Sequence, residues 1–305
     1  MLAPATRAPL PADTPPAWRV WLLATRPQTL TAAVAPVLVG TALAAADGVA
    51  LPWAALAALA GAILIQIGTN LVNDVADFRL GADTSERLGP PRATQRGWLQ
   101  PRQVHVAALV VLGASVLVGV TLVARAGVPV AVIGLASIAC GVAYTAPPFK
   151  LGYRGLGDLL VLLFFGGVAV CGTYYVQALT VSAGALVAAV PVGLLATAIL
   201  VVNNLRDRQT DAATGKRTLV ARLGARFGRS QYSALLLAAY LVPLGAWLVG
   251  LVPAGWLLVW ASAPVAGWRT RSVWRRDGAA LNPELGATAR LLLLYSALLA
   301  LGVWL

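Results

Sequence analysis

Charged side chains are scarce in this chain. Asp, Glu, Lys and Arg make up 11% of its 305 residues and hydrophobic residues 59%, whereas a soluble domain averages about a quarter charged residues. One soluble core cannot hide that much apolar surface, so the bilayer is the expected solvent. Histidine occurs once, as His105, and cysteine twice, as Cys140 and Cys171. His105 falls at the start of a predicted span, at the membrane interface, and receives no catalytic role. Both cysteines fall inside apolar runs, where a lone cysteine is most simply a small hydrophobe, so they say nothing about redox compartment. A separate apolar core region is missing from the Pro- and Ala-rich first 17 residues, so no cleaved signal peptide is expected.

What is present in quantity is long apolar runs. Nine spans are expected, at 19–46, 51–72, 104–124, 128–146, 156–179, 181–202, 232–252, 254–269 and 288–305. Most reach the roughly 20 residues that a transmembrane helix needs. The expected fold is all-α: a polytopic membrane bundle of nine helices forming one domain, 18–305, after a flexible tail, 1–17.

The net charge of +12 would suit a nucleic-acid binder if it formed one basic face. It does not. All of the 23 Lys and Arg except Arg125 fall in the N-terminal part or in the loops after even-numbered spans, the last of these taken with the start of span nine. That alternation is the positive-inside pattern, with N-terminus and even loops cytoplasmic and C-terminus outside. The opposite loops are minimal, so chemistry is expected on the cytoplasmic face of a cell membrane, with no nucleic-acid partner.

Two polar clusters interrupt the apolar pattern. One closes span two, with Asn70, Asn73, Asp74 and Asp77, followed by Gly81 and Asp83. The other closes span six, with Asn203, Asn204, Asp207 and Asp211, followed by Gly215 and Lys216. They lie four spans apart in the same orientation, which suggests a four-helix unit used twice, plus one helix. At about 100° per residue, Asn70, Asp74 and Asp77 share one helix face, as do Asn203, Asp207 and Asp211.

Carboxylates four apart repel by a few tenths of a kcal/mol, and a charge within the bilayer costs on the order of 3 kcal/mol. Divalent cations would offset both. Oxygen ligands without His or Cys suit Mg²⁺, which prefers one or two carboxylates plus phosphate oxygens. Two facing acidic helix ends would hold about two Mg²⁺ around a diphosphate. Lys150, Arg154, Arg206 and Lys216 are candidates for the remaining phosphate oxygens. One cluster alone would more simply pair with loop arginines; two matched clusters favour the metal site.

At these residues the chain resembles the UbiA superfamily of intramembrane prenyltransferases, through Asn73-Asp74-x-x-Asp77 and Asp207-x-x-x-Asp211. More locally it resembles the branch that prenylates 1,4-dihydroxy-2-naphthoate in menaquinone synthesis. The stretches RPQTL (26–30), GPPRATQRGWLQPRQV (89–104), YTAPPFKLGYRGLGD (144–158) and NNLRDRQTDAATGKRTLVARLG (203–224) carry that likeness. It departs from the family at Gly81, where an Asp is common, leaving Asp83 as the next acid. Tyr144 and Lys150 are six apart, where many relatives place Tyr and Lys four apart.

The resemblance implies a Mg²⁺-dependent transfer of a polyprenyl group from its diphosphate to an aromatic ring. The naphthoate would lose CO₂ and become a demethylmenaquinone. Asp74, Asp77, Asp83, Asp207 and Asp211 would hold metal, and Asn70, Asn73, Asn203, Asn204, Tyr144 and the four cations named above would contact substrate. Arg26, at the cytoplasmic end of span one, is a candidate partner for the acceptor carboxylate. Phe164, Phe165, Tyr174 and Tyr175 are candidates to line an apolar chamber, and Gly166, Gly167 and Gly172 to allow close helix contact. The Gly-rich loop at 152–158 follows no strand and fits no nucleotide fingerprint.

Other readings compete. Another aromatic acceptor, such as 4-hydroxybenzoate or homogentisate, would fit the same chemistry. Lipid phosphatidyl transfer expects Asp-Gly then Ala-Arg after the first acidic pair, but Phe78 and Arg79 follow Asp77. A cation-coupled transporter expects acids near the midplane, yet all but Asp13 and Asp47 fall in or beside the even-numbered loops.

Overall fold

The structure is a computed structural model, and it describes residues 14–82 and 87–305. Among these the secondary structure is helical throughout. Helix α1 (Ala17–Thr25) and α2 (Pro27–Ala46) are followed by α3 (Pro52–Arg79), α4 (Pro101–Ala126) and α5 (Val128–Thr145). A 3₁₀ turn, Leu151–Arg154, leads into α6 (Gly157–Val161), a π-helical segment (Leu162–Val168) and α7 (Ala169–Ala178), which run on as one rod. Then come α8 (Ala183–Ala213), α9 (Leu219–Leu248), a 3₁₀ segment (Ala254–Ser262) joined to α10 (Ala263–Arg275), and α11 (Asn282–Gly302). Eight of the helices among the described residues are long and apolar enough to cross a membrane.

Several predicted boundaries change. The first span is broken at Arg26, whose φ of 53° lies in the left-handed region. Pro27 then starts α2, because its fixed φ and missing N–H suit a first helical position. The seventh span begins at Leu219 rather than 232. The predicted eighth span, 254–269, is nine residues of 3₁₀ helix followed by α10, which carries Arg269, Arg271 and Arg275. At about 2.0 Å and 1.5 Å per residue these segments reach about 37 Å, so the rod is still long enough to cross. Gly255 and Gly302 allow its tight start. A Cβ on Gly255 would meet the Gly302 carbonyl oxygen at 2.2 Å, so the two backbones touch.

The most buried helix is α8: Val192, Leu195, Ala198, Val201, Val202 and Leu205 are all inaccessible. Gly166 and Gly193 bring the π segment against it. A Cβ on Gly166 would lie 2.5 Å from the Ala189 carbonyl oxygen and 2.9 Å from Gly193 Cα. Small residues permit such backbone contact between membrane helices. Gly167 and Gly172, expected in the same role, meet no neighbouring element that closely.

Helices α3 and α5 run parallel with an offset fixed by two contacts. Thr145 Oγ1 donates to Asn73 Oδ1 at 2.6 Å, and Gly141 packs on Thr69. The same offset pairs Ala62 with Gly134 and Ala58 with Val130, and all four line one cavity. That cavity has a volume of about 700 Å³. At 1.5 Å per residue, its wall on α3 from Ala58 to Asp77 is about 28 Å long, close to the thickness of a bilayer core.

Candidate functional site

The two acidic helix ends meet at one mouth of this cavity. Asp77, Asp207 and Asp211 all line it, with Asn70, Asn73 and Asn203. Away from that mouth the wall turns apolar, with Ile65, Ile133, Ile138, Phe164, Phe165 and Ile199. Tyr174 is buried against the opposite end of the bundle, donating its hydroxyl to Asp47 Oδ2 at 2.6 Å. Neither Tyr174 nor Tyr175 lines the chamber among the described residues.

The end of α3 is held by its neighbours. Asn70 Nδ2 donates to the Thr25 carbonyl at 2.9 Å and to Thr29 Oγ1 at 3.0 Å, fixing the elbow between α1 and α2. Asp77 accepts from two donors: Arg92 Nη1 on Oδ2 at 2.6 Å and the Tyr153 hydroxyl on Oδ1 at 2.7 Å. Arg92 also donates to the Asn73 carbonyl at 3.0 Å. Asp74 is turned elsewhere. It is 2% exposed, does not line the cavity, and accepts a hydrogen bond from Thr94 Oγ1. Asp83 lies outside the described residues.

On α8, Arg206 grips its sequence neighbour. Its Nε and Nη2 donate to Asp207 Oδ1 and Oδ2 at 2.7 and 2.5 Å. Nη2 also reaches Asn203 Oδ1 at 2.9 Å, and Nη1 reaches Asn282 Oδ1 at 3.0 Å. Arg206 is 2% exposed and does not line the cavity, so it orients Asp207 and ties α8 to the start of α11. Asn204 is likewise buried off the cavity wall. After α8, Gly215 turns the chain at φ 74° and brings Lys216 Nζ to 3.3 Å from Asp211 Oδ1. Asp211 Oδ2 is buried with no hydrogen-bond partner.

The loop cations divide. Lys216, Arg26, Arg87 and Arg92 line the mouth. Lys150 does not, and its ammonium lies 5.9 Å from the centre of the Tyr153 ring. Arg154 lines a separate outer pocket with Tyr153, Arg217 and Arg222. Tyr144 does line the main cavity, and the Gly-rich loop rejected as a nucleotide motif packs on it. Cβ atoms on Gly152 and Gly157 would each come within 2.7 Å of the Tyr144 side chain. Arg26 carries a buried Nη2 with no partner. Burial, together with the nearby Arg92 and Arg87, pulls its guanidinium down to about 9, so it stays cationic at neutral pH.

Among the described residues no three His, Cys, Asp or Glu side chains converge closely enough to hold a metal unaided. The donors still fit a hard divalent cation. They are all oxygens, Asp211 Oδ2 is an orphaned buried acceptor facing no donor, and Mg²⁺ usually takes one or two carboxylates and completes its shell with phosphate and water.

Sequence reasoning missed Tyr153, Arg87, Arg92 and Thr94. All four lie inside or beside the stretches 89–104 and 144–158, whose only signal was their likeness to relatives.

An apolar chamber of bilayer length beneath a mouth lined by both charge signs defines a multi-pass membrane protein with a site for an amphiphile bearing an anionic head. The chain belongs to the UbiA prenyltransferase family, whose model matches residues 33–304. It is 40% identical over 296 residues to the 1,4-dihydroxy-2-naphthoate octaprenyltransferase of Escherichia coli, covering 94% of this chain and 96% of that protein. It is 39% identical over 286 residues to the enzyme of the same description from Mycobacterium tuberculosis, covering 92% and 95%. Its fold matches the solved structure of a UbiA homolog from Archaeoglobus fulgidus bound to DMAPP and Mg²⁺. The TM-score there is 0.64 at 14% identity, over 92% of this chain and 98% of that one.

Proposed function

We propose that this prenyltransferase moves a polyprenyl group from its diphosphate to 1,4-dihydroxy-2-naphthoate, with loss of CO₂ and release of diphosphate. The product is the quinol form of a demethylmenaquinone. The observation that carries the reading is the division of one cavity into a charged mouth and a long apolar shaft. The acceptor assignment is supported by the 40% identity over most of the chain to an octaprenyltransferase that acts on this naphthoate.

In this reading the diphosphate sits in the mouth. Lys216, Arg87 and Arg92 take its oxygens, and the prenyl chain lies along the apolar wall. Asp77, Asp207 and Asp211 would hold Mg²⁺; that a UbiA homolog of the same fold was solved with DMAPP and Mg²⁺ supports the choice of ion. Bound there, the cation would neutralise the charge that develops on the departing diphosphate. The allylic C–O bond breaks with its electron pair going to the diphosphate. A ring carbon of the acceptor supplies the pair for the new C–C bond, and departure of CO₂ returns a pair to the ring.

The protein's own part is electrostatic and exclusionary. Fixed cations aimed at the leaving group act without reorganising. The aromatic faces of Phe164 and Phe165 stabilise a passing allylic cation by about 0.5–2 kcal/mol each, and the dry shaft keeps water from quenching it. The unpartnered Nη2 of Arg26 is the group that receives the acceptor carboxylate. The mouth faces the cytoplasm of a cell membrane, a reading supported by the one-sided loop charges.

The test is competition. Purified protein in lipid nanodiscs receives one polyprenyl diphosphate, Mg²⁺, and equimolar 1,4-dihydroxy-2-naphthoate and 4-hydroxybenzoate, with products read by mass spectrometry. The expected product is the decarboxylated naphthoate adduct. A prenylated benzoate with its carboxyl retained, and untouched naphthoate, would overturn the acceptor assignment and leave the family intact.

A further inference from the structure

Tyr153 stands where three parts of the site meet. Its hydroxyl donates to Asp77 Oδ1 at 2.7 Å, at the end of α3. Its ring lies 5.6 Å from the ammonium of Lys216, which follows α8, and 5.9 Å from that of Lys150, in its own loop. Its carbonyl accepts from the Arg217 N–H at 2.9 Å, which ties the loop after α5 to the loop after α8. The side chain also forms part of the cavity wall.

Each contact has a separate consequence. Asp77 has two oxygens, and Arg92 holds the other one. A carboxylate gripped on both oxygens has its plane fixed. If a cation displaces Arg92 from Oδ2, the tyrosine bond on Oδ1 is what keeps the carboxylate aimed. The ring acts differently. An ammonium within about 6 Å of an aromatic ring is attracted to it, so the ring restrains Lys216 at the cavity wall and Lys150 outside it. The neighbouring 3₁₀ turn, Leu151–Arg154, with Lys150 before it at φ 46°, is what swings the ring under both charges.

We propose that Tyr153 is a positioning residue with two separable tasks: its hydroxyl orients Asp77 for the divalent cation, and its ring holds Lys216 for the diphosphate. The first task rests on the reading of Asp77 as a metal ligand.

The experiment uses the full-length protein in nanodiscs with three variants: Tyr153→Phe, Tyr153→Leu and Asp77→Asn. Mn²⁺ binding without substrate is read by EPR. Binding of a non-hydrolysable prenyl diphosphate analogue without metal is read by calorimetry, and thermal stability is followed throughout. Tyr153→Phe should weaken Mn²⁺ about tenfold, the usual effect of losing a hydrogen bond to a metal-binding carboxylate, and leave the analogue's affinity unchanged. Tyr153→Leu should weaken both, the analogue by about threefold to tenfold. Equal Mn²⁺ affinity in Tyr153→Phe and wild type, with Asp77→Asn strongly weakened, overturns the hydroxyl's task and keeps the metal reading. Unchanged Mn²⁺ binding in Asp77→Asn instead sinks the metal reading itself. Equal analogue affinity in the Phe and Leu variants removes the ring's task. Loss of thermal stability in both variants with neither affinity changed means that Tyr153 is only a structural link.

Discussion

A bulky side chain at Gly134 should shorten the prenyl donor that the protein accepts. Gly134 lines the cavity, and a Cβ there would meet nothing within 4 Å, so the side chain of Gly134→Phe leaves the backbone into open space. The fixed offset between α3 and α5 puts Gly134 level with Ala62. From Asn73 at the mouth to that level is about 16 Å at 1.5 Å per residue. An extended isoprene unit spans about 5 Å, from four C–C bonds of about 1.5 Å in zigzag. About three units therefore fit above the new ring, and the rest of a longer tail meets it. Forcing a chain into a filled core costs about 1–3 kcal/mol, or roughly 5- to 150-fold in kcat/KM. Steady-state turnover with farnesyl and octaprenyl diphosphate measures this directly. The farnesyl donor should stay near wild type while the octaprenyl donor falls by at least about fivefold. Equal losses with both donors, or an unaffected octaprenyl donor, would show that the tail does not lie along the α3–α5 wall.

Further outcomes follow from the same geometry. Asp77→Asn, Asp207→Asn and Asp211→Asn should each remove most turnover with the protein folded, as should chelation of Mg²⁺; Asp74→Asn, whose carboxylate is engaged by Thr94 off the cavity wall, should lose less. Steady-state assays at saturating Mg²⁺ check this ranking, and full turnover in Asp211→Asn would contradict it. Arg206→Met strands the buried Asp207 carboxylate and should cost about 3–5 kcal/mol, lowering the melting temperature by on the order of 10 °C. The double variant with Asp207→Asn should recover most of that, and an unrecovered melting temperature would show that Arg206 acts through Asn203 and Asn282 instead. In a background lacking Cys140 and Cys171, a cysteine at Ala213 should label only with reagents that cross the membrane, and one at the C-terminus should label from outside. Both labelling from one side would mean an even number of crossings.

Much of this was legible in the sequence because the bilayer imposes simple rules. Apolar length marked the spans, and the one-sided arginines marked the loops that surround the mouth. Helical periodicity put Asp77, Asp207 and Asp211 on faces that do meet. It failed for Asp74, which shares the Asn70 face by angle alone. A folded loop, with Thr94 at its inner edge, claims that carboxylate, and loop paths leave no period to read. The span break at Arg26 was hidden because the apolar run continues across it; only Pro27 hints at a new helix start. The 3₁₀ start of the eighth span was hidden because it packs where Gly255 and Gly302 let two backbones touch, a contact between residues far apart in sequence. Lys150 and Arg206 looked like phosphate ligands by charge. One turns to an aromatic ring and the other to its own neighbouring carboxylate, choices that depend on the left-handed turn at Lys150 and on Asn282 from α11.

Joining a prenyl chain to the naphthoate with loss of its carboxyl group ties CO₂ release to diphosphate release. Radiolabelled CO₂ from carboxyl-labelled 1,4-dihydroxy-2-naphthoate, with diphosphate measured in the same reaction, reads that link. Both should appear in equal amounts, only with polyprenyl diphosphate and Mg²⁺ present. Diphosphate released without labelled CO₂, or labelled CO₂ released without the prenyl donor, would contradict it.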